Sequence, residues 1–376
     1  MKEIRMVDLK TQYDKVKKDI DTAIEEVINS TAFIKGPQVK EFENELASYL
    51  NVKHVIGCAN GTDALQVSLM ALGLQPGDEV ITPDFTFIAT IEVIALLGLV
   101  PKLVDVDKDT FNIHTENIKK VITKKTRAIM PVHLFGQCAN MDEILAIARE
   151  NNLHVIEDTA QATGAVYGHI NGKKNKAGTM GSVGCTSFFP SKNLGCYGDG
   201  GAIFTNNDEI AEKIRILINH GMKVRYYHDM IGVNSRLDTI QAAILKVKLA
   251  HLDKYNKARQ AAAEYYDSAL GDCKKIIIPA RTAFSDHIFH QYTIRLKSTD
   301  RKHMQEYLAS MGIPTMIYYP VPLHRQKAFL YLGLKDDDFP VTGELCETVL
   351  SLPMHTELDK EQLEYITSHV MKFVED

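Results

Sequence analysis

Lys192 stands in the run SFFPSKNLGCYGDGGAIFTN (187–206), preceded by aromatics and a proline and followed by Gly195, Gly198, Gly200 and Gly201. Apolar surroundings disfavour an ammonium, so a lysine desolvated there has a lowered pKa and a nucleophilic amine. The glycines let the backbone approach a ligand closely, and Ser187, five residues upstream, offers a hydroxyl to a phosphate. The competing reading is a solvated loop lysine, because lysine is rarely fully buried. Asp158 ends the apolar pattern LHVIED and precedes the small-residue turn TAQATGA. It is either a capping or turn aspartate or a carboxylate kept ionised beside a cation. A protonated pyridine nitrogen is such a cation, and an acid there makes the ring an electron sink.

NGTDAL (Asn60 to Leu65, with Gly61, Thr62 and Asp63) joins a strand pattern to a helix pattern. Free N–H groups and the helix dipole at such a junction suit a phosphate, although these are also ordinary N-cap residues. The segment does not match the P-loop spacing, and GDGG (198–201) lacks the lysine and hydroxyl which that spacing needs. A phosphate cradle, an acid for a ring nitrogen and a lysine for an aldehyde together describe a pyridoxal-phosphate (PLP) site.

The elements that must position these residues follow from periodicity. Val16, Ile20, Ile24, Val27 and Ile28 share one face of a helix expected over Asp14 to Ser30. The strands KHVIGCAN, DEVITPD, PKLVDVD, RAIMPVHLFG and LHVIEDT then alternate with helical stretches such as GTDALQVSLMALG and NMDEILAIARENN. That alternation predicts an α/β fold with a mostly parallel sheet between helices, whose ligands sit beyond the carboxyl ends of the strands. After about residue 250 a long charged helix (His251 to Leu270), the strand QYTIRL and the helix DRKHMQEYLASMG predict a smaller α+β domain. The expected division is 1–250 as the large cofactor-binding domain and 251–376 as the small one.

At 376 residues, two domains are expected. The net charge of -5 argues against a general nucleic-acid binder, so an anionic ligand needs a few local cations. The longest apolar stretch, Phe85 to Val104, contains Glu92, several threonines and Pro101, and reads as buried helix and strand instead of a membrane span. MKEIRMVDLK has no apolar signal core, which predicts a cytoplasmic chain. The six cysteines (58, 138, 185, 196, 273, 346) form no CxxC pair, so reduced structural thiols are expected, with neither a metal nor a disulfide framework.

From FIKGPQVKEFE at 33, through NGTDAL, PGDEVITPDFTF, VDVD, VHLFGQ, EDTAQ, SFFPSKNLGCYGDGGAIFTN and GVNSRLDTIQAAIL, to YYPVPLH at 318, the chain resembles the DegT/DnrJ/EryC1/StrS sugar aminotransferases. The resemblance implies the PLP-dependent transferase fold type I, a seven-stranded sheet and a homodimer with shared active sites. It implies that Lys192 forms the Schiff base with the cofactor and shuttles a proton, that Asp158 pairs with the pyridinium, and that Gln161 reaches the phenolic oxygen. Backbone N–H groups of Thr62 and Asp63, beside Gly61, with Ser187, would hold the phosphate, and Phe87 would stack on the ring. Asn234 would contact the phosphate from the other subunit. Some members carry histidine in place of the Schiff-base lysine and dehydrate the sugar, so Lys192 groups this chain with the aminotransferases.

Two positions depart from the family pattern. Thr163 stands where many members have histidine after EDxAQ, and Tyr318-Tyr319-Pro320 stands where members often read His-Tyr-Pro. The substrate contacts implied by the resemblance are Tyr318, Tyr319 and His324, with Arg236 expected on the same face as Asn234 if GVNSRLD is extended. Arginine's planar fork suits a carboxylate or phosphate; the alternative for Arg236 is a salt bridge to Asp238 or a nearby acid. His133 in PVHLFG reads as a core histidine. Lys223 and Arg225 in HGMKVRYYHD are either solvated or meet a nucleotide diphosphate. The wording of the motifs is nearest the branch acting on UDP-2-acetamido-2-deoxy-3-oxo-glucuronate with glutamate as donor, whose products feed surface polysaccharides such as lipopolysaccharide O-antigen. The alternatives are a dTDP-3-keto-6-deoxyhexose aminotransferase and a non-catalytic PLP-binding regulatory protein.

Overall fold

A computed structural model describes residues 3–375; Met1 and Lys2 of the leading MKEIRMVDLK, and Asp376, lie outside the described residues. The chain opens with α1 (Leu9–Ser30) and α2 (Pro37–Leu50). The first begins at the Asp8 cap, five residues before the expected start, because the Asp8 carboxylate accepts from the Thr11 N–H at 3.0 Å. Val16, Ile20 and Val27 are buried on it, whereas Ile28 of the same apolar stripe is 51% exposed.

The α/β body then runs β1 (His54–Cys58), α3 (Gly61–Ala71), β2 (Glu79–Pro83), α4 (Ala89–Leu96), β3 (Val100–Val104), α5 (Thr115–Val121), β4 (Thr126–Ile129), α6 (Met141–Asn151) and β5 (His154–Asp158). A small hairpin, β6 (Val166–Gly168) with β7 (Lys174–Lys176), precedes β8 (Val183–Ser187), β9 (Gly201–Thr205) and α7 (Asp208–Leu217). The seven-stranded sheet has the order β1-β9-β8-β5-β4-β2-β3. Strands β8, β5, β4, β2 and β3 pair in parallel, while β9 is antiparallel to both β8 and β1. The sheet is therefore mostly parallel, as the alternation predicts. The exception arises because β8 and β9 are joined by a 13-residue loop carrying Lys192, which returns the chain on the edge it left instead of crossing over through a helix.

A second hairpin, β10 (Met222–Val224) with β11 (Tyr227–His228), precedes α8 (Thr239–Leu249) and α9 (Leu252–Leu270). Then come β12 (Ile276–Ile277), β13 (Tyr292–Leu296), α10 (Arg301–Ser310), α11 (Pro340–Thr348), β14 (Val349–Leu352) and α12 (Lys360–Glu375), with β12, β13 and β14 forming a three-stranded antiparallel sheet. One apolar core gathers on β1, α3, β2, α4 and α7. Another joins the second half of α9 to β13, α10, β14 and α12, and takes in Ile4 from the far end of the chain. Helix α9 spans both bodies: Leu252 packs in the core of Phe42, Phe188 and Leu245, whereas Ala262 to Leu270 pack in the small one. All six cysteines are free thiols. No helix among the described residues is long and apolar enough to cross a membrane.

Candidate active site

Strand β5 delivers Asp158 to its carboxyl end, and the adjacent β8 delivers Ser187 at the same edge, as open parallel sheets place ligand sites. A cavity of about 780 Å³ opens there, walled by Gly61, Phe87, Asp158, Gln161, Lys192 and Tyr319 among others. Thr62, Asp63, Ser187 and Tyr318 also line it. Asp158 is 8% exposed, and its carboxylate accepts from the Ala160 N–H at 3.0 Å. Burial pushes its pKa up, and that backbone N–H and the charge of Lys192 pull it back. Lys192 is half-buried in the wall, where desolvation pulls its pKa down to about 8 against the attraction of Asp158. The opposed shifts follow from one main cause, burial that penalises the charged form of each group.

Gly61 starts α3 directly against Ser187: a Cβ on Gly61 would lie 2.7 Å from the Ser187 Cβ. That contact lets the helix N-terminus and the Ser187 hydroxyl face the same notch. Within it the Asp63 N–H is committed elsewhere, because the Asn60 side chain caps the helix by accepting from it at 2.8 Å. The donors left to the notch are the Thr62 N–H and the Ser187 hydroxyl, the latter accepting from the Phe189 N–H at 3.2 Å. Gln161 is fixed at both ends: its oxygen accepts from the Phe135 N–H at 2.7 Å and its nitrogen donates to the Tyr319 hydroxyl at 3.1 Å. Phe87 is 54% exposed on the cavity wall, with its ring 6.3 Å from that of Tyr319.

His290 joins this wall although its sequence neighbourhood marks it only as a polar ring shortly before the strand QYTIRL. Its Nδ1 lies 3.2 Å from the Asn193 oxygen, and the Asn193 amide donates to Asn256 at 2.8 Å. Burial, with Lys192 and Arg259 nearby, holds His290 well below the usual histidine range, so it is neutral.

Three expected positions lie outside the cavity. Exposed Asn234 and half-buried Arg236 flank buried Ser235, whose hydroxyl accepts from the Ala59 N–H at 3.1 Å. Among the described residues Arg236 makes no ion pair; Asp238 instead caps α8 by accepting from the Gln241 N–H at 2.8 Å. Burial and the charge of Arg236 together lower the pKa of Lys35. His324 is buried at a separate place: Nδ1 donates to Asp84 at 2.6 Å, Nε2 meets Asp336 at 3.0 Å, and the ring stacks on Phe339. Burial lowers its pKa, but the two carboxylates more than offset that and raise it. His133 is a satisfied core histidine, with Nε2 2.9 Å from Glu157 and Nδ1 accepting from the Ala139 N–H at 3.1 Å. Thr163 is buried against the Thr186 hydroxyl at 2.7 Å, away from the cavity. Lys223 pairs with Glu212 on the surface, and Arg225 lies over the Tyr226 ring. Lys192 is the one lysine or arginine on the described cavity wall.

The profile of the DegT/DnrJ/EryC1/StrS aminotransferase family matches residues 14–371. The chain is 47% identical to the pleiotropic regulatory protein of Geobacillus stearothermophilus, covering 98% of each. It is 46% identical to the UDP-2-acetamido-2-deoxy-3-oxo-D-glucuronate aminotransferase of Pseudomonas aeruginosa, covering 96% of this chain and 98% of that one. Among solved structures, ntda from Bacillus subtilis, with bound cofactor PMP, superposes with a TM-score of 0.89 at 31% identity over 99% of this chain and 83% of the other.

Proposed function

Because the chain belongs to the DegT/DnrJ/EryC1/StrS aminotransferase family, a family of PLP-dependent nucleotide-sugar aminotransferases, we propose that it moves the amino group of glutamate to the 3-keto carbon of UDP-2-acetamido-2-deoxy-3-oxo-glucuronate. The observation that carries this reading is the desolvated Lys192 with buried Asp158 on the wall of one cavity, where the N-terminus of α3 meets Ser187. The substrate rests on the 46% identity to the Pseudomonas enzyme along almost the whole chain. The proposed setting is cytoplasmic surface-polysaccharide biosynthesis.

The residues fit the cofactor. When bound, PLP supplies an electron sink for the carbon that gains or loses nitrogen. Asp158, buried and ionisable, would keep a proton on the ring nitrogen. The Thr62 N–H and Ser187 hydroxyl would bind the phosphate, Gln161 would reach the phenolic oxygen, and the Phe87 ring would cover the cofactor. Lys192, with an amine neutral above about pH 8, would serve as the nucleophile toward the cofactor's aldehyde and, once free, as the base that moves a proton. Tyr318 and Tyr319 meet the sugar. His324 acts indirectly, by holding Asp84 at the end of β2. Residues 1–250 serve as the cofactor-binding body and 251–376 as the small domain, with Ile4 attached to the latter.

The substrate brings a diphosphate and a carboxylate to a wall with one cation, so further positive charge must come from outside it. Arg236, half-buried beside exposed Asn234 and without an ion pair among the described residues, supplies it from a second subunit. A charge-assisted contact is worth about 1.5–3 kcal/mol, or roughly 10- to 150-fold in kcat/KM. Arg236→Ala should lose that much with the 3-oxo-uronate and far less with the neutral 6-deoxy or 6-hydroxymethyl sugar. Equal losses on both would remove Arg236 from carboxylate recognition and favour a dTDP-3-keto-6-deoxyhexose substrate. If glutamate leaves the visible absorption of the bound cofactor unchanged, the chain is a regulatory binder instead.

A further inference from the structure

Asn193, the residue after Lys192, is buried and does not line the cavity. Its side-chain nitrogen donates to the Asn256 oxygen at 2.8 Å and to the Ile288 carbonyl at 3.3 Å. Asn256, buried on α9, in turn donates to the Thr163 carbonyl at 3.3 Å. A backbone carbonyl can only accept, so these two carbonyls fix which way each amide points. The Asn193 oxygen therefore faces His290 Nδ1 as an acceptor, 3.2 Å away, and Nδ1 must carry the hydrogen.

The backbone holds the ring in this pose, because the His290 N–H donates to the Phe135 carbonyl at 2.8 Å and the His290 carbonyl accepts from Arg259 at 3.2 Å. With Nδ1 turned to a residue outside the cavity, Nε2 is the ring nitrogen left to the wall that His290 shares with Lys192. A neutral imidazole with its hydrogen on Nδ1 presents a bare lone pair at Nε2, and no hydrogen bond among the described residues occupies it. Lys192 has the matching need. Its amine makes no hydrogen bond among the described residues, and Asp158 acts on it through charge. The other titratable groups on the wall are Asp63, Asp158, Asp199, Tyr318 and Tyr319, and Arg259 lies behind His290. Asp63 sits at the notch, Asp158 is assigned to the ring nitrogen, and Asp199 is exposed. Burial keeps both phenols protonated, and the Tyr319 oxygen already accepts from Gln161.

We propose that His290 is a positioning residue for Lys192: its Nε2 accepts a hydrogen from the Lys192 amine whenever that amine is free, and the Asn256–Asn193 chain keeps the lone pair in place. The contact limits the swing of the amine inside the cavity and favours its ammonium form, so losing it lowers the pH at which Lys192 becomes a nucleophile. The inference rests on the reading of Lys192 as the residue that captures the cofactor's aldehyde; a borohydride label on another lysine would remove that reading, whereas the measurements below bear on His290 alone.

Two variants separate this role from a structural one. His290→Asn keeps a donor near Nδ1 for Asn193 but has nothing at the place of Nε2, while His290→Gln puts an amide oxygen there. In the full chain freed of cofactor, Lys192 is trapped with propanal and cyanoborohydride at a series of pH values, and its labelling is followed by peptide mapping. The midpoint should fall by about one pH unit in His290→Asn and stay near that of the wild type in His290→Gln. Nitrogen-15 NMR of the histidine-labelled wild type reads the tautomer without relying on either variant's midpoint, and should show the His290 hydrogen on Nδ1 with Nε2 bare. Equal midpoints in wild type and His290→Asn overturn the proposal, as does a hydrogen on Nε2. A fall in His290→Gln as large as that in His290→Asn means that the ring only fills space, and overturns it too.

Discussion

At the scale of single residues, the cavity depends on the opposed effects of burial on Lys192 and Asp158. Burial favours the neutral amine, and Asp158 opposes it, leaving the pKa at about 8 instead of 10.5. The neutral amine is the reactive form. The rate at which cofactor-free protein captures an aldehyde should therefore climb with pH and level off above about 8, well short of the ordinary lysine value. Asp158→Asn removes the charge that holds the pKa up, so its midpoint should fall below that of the wild type; stopped-flow absorbance at a series of pH values checks both. Lys192→Ala loses nucleophile and proton carrier together, so turnover should drop to background while circular dichroism is unchanged. Borohydride reduction of the wild-type holoenzyme should place the pyridoxyl label on the 187–206 peptide, and a label on another lysine would contradict the assignment.

At the scale of elements, the notch depends on how closely α3 approaches the end of β8. Gly61→Ala puts a methyl 2.7 Å from Ser187, and overpacking of this kind costs about 1–3 kcal/mol. Because it falls where the phosphate donors converge, cofactor affinity should drop roughly 5- to 150-fold in equilibrium dialysis, with little change in the Lys192 chemistry of the saturated protein. The second junction is His324, which links Asp84 at the end of β2 to Asp336. Its pKa is raised in the fold, so its contribution is complete below the unfolded value of about 6.5 and is lost as pH rises through the folded value. The Tm advantage of wild type over His324→Gln should therefore be widest under mildly acidic conditions and narrow toward alkaline pH. An advantage that grows with pH would reverse the assigned charge state.

At the scale of the whole molecule, two residues meant to complete the cavity, Asn234 and Arg236, do not line it. Asn234 is exposed and Arg236 half-buried, and Phe33, Phe189 and Tyr226 are exposed as well. The proposed homodimer, in which each copy lends Asn234 to the other's notch, would account for this arrangement. Mixing inactive Lys192→Ala protomers with inactive Asn234→Ala protomers should restore one intact site per heterodimer, measured as recovered glutamate-dependent turnover. With subunit exchange confirmed, no recovery means the site is not shared.

Periodicity and residue type were enough for the α/β alternation and the mostly parallel sheet, and for singling out Lys192 and Asp158, which line one cavity in the fold. Each is a local pattern: apolar runs of strand length, helical stretches between them, and a lysine among aromatics and glycines. The direction of β9 was not legible, because pairing is a long-range choice set by the short return through the Lys192 loop. Nor was His290, whose place on the cavity wall depends on Asn193 and Asn256 from distant segments. The Asp63 N–H looked available until the fold turned the Asn60 side chain onto it. His324 carried the right chemistry for a ligand, but tertiary packing enclosed it between two carboxylates. Sequence spacing assigns a side chain to a face of its own element; what that face meets is decided by the elements packed against it.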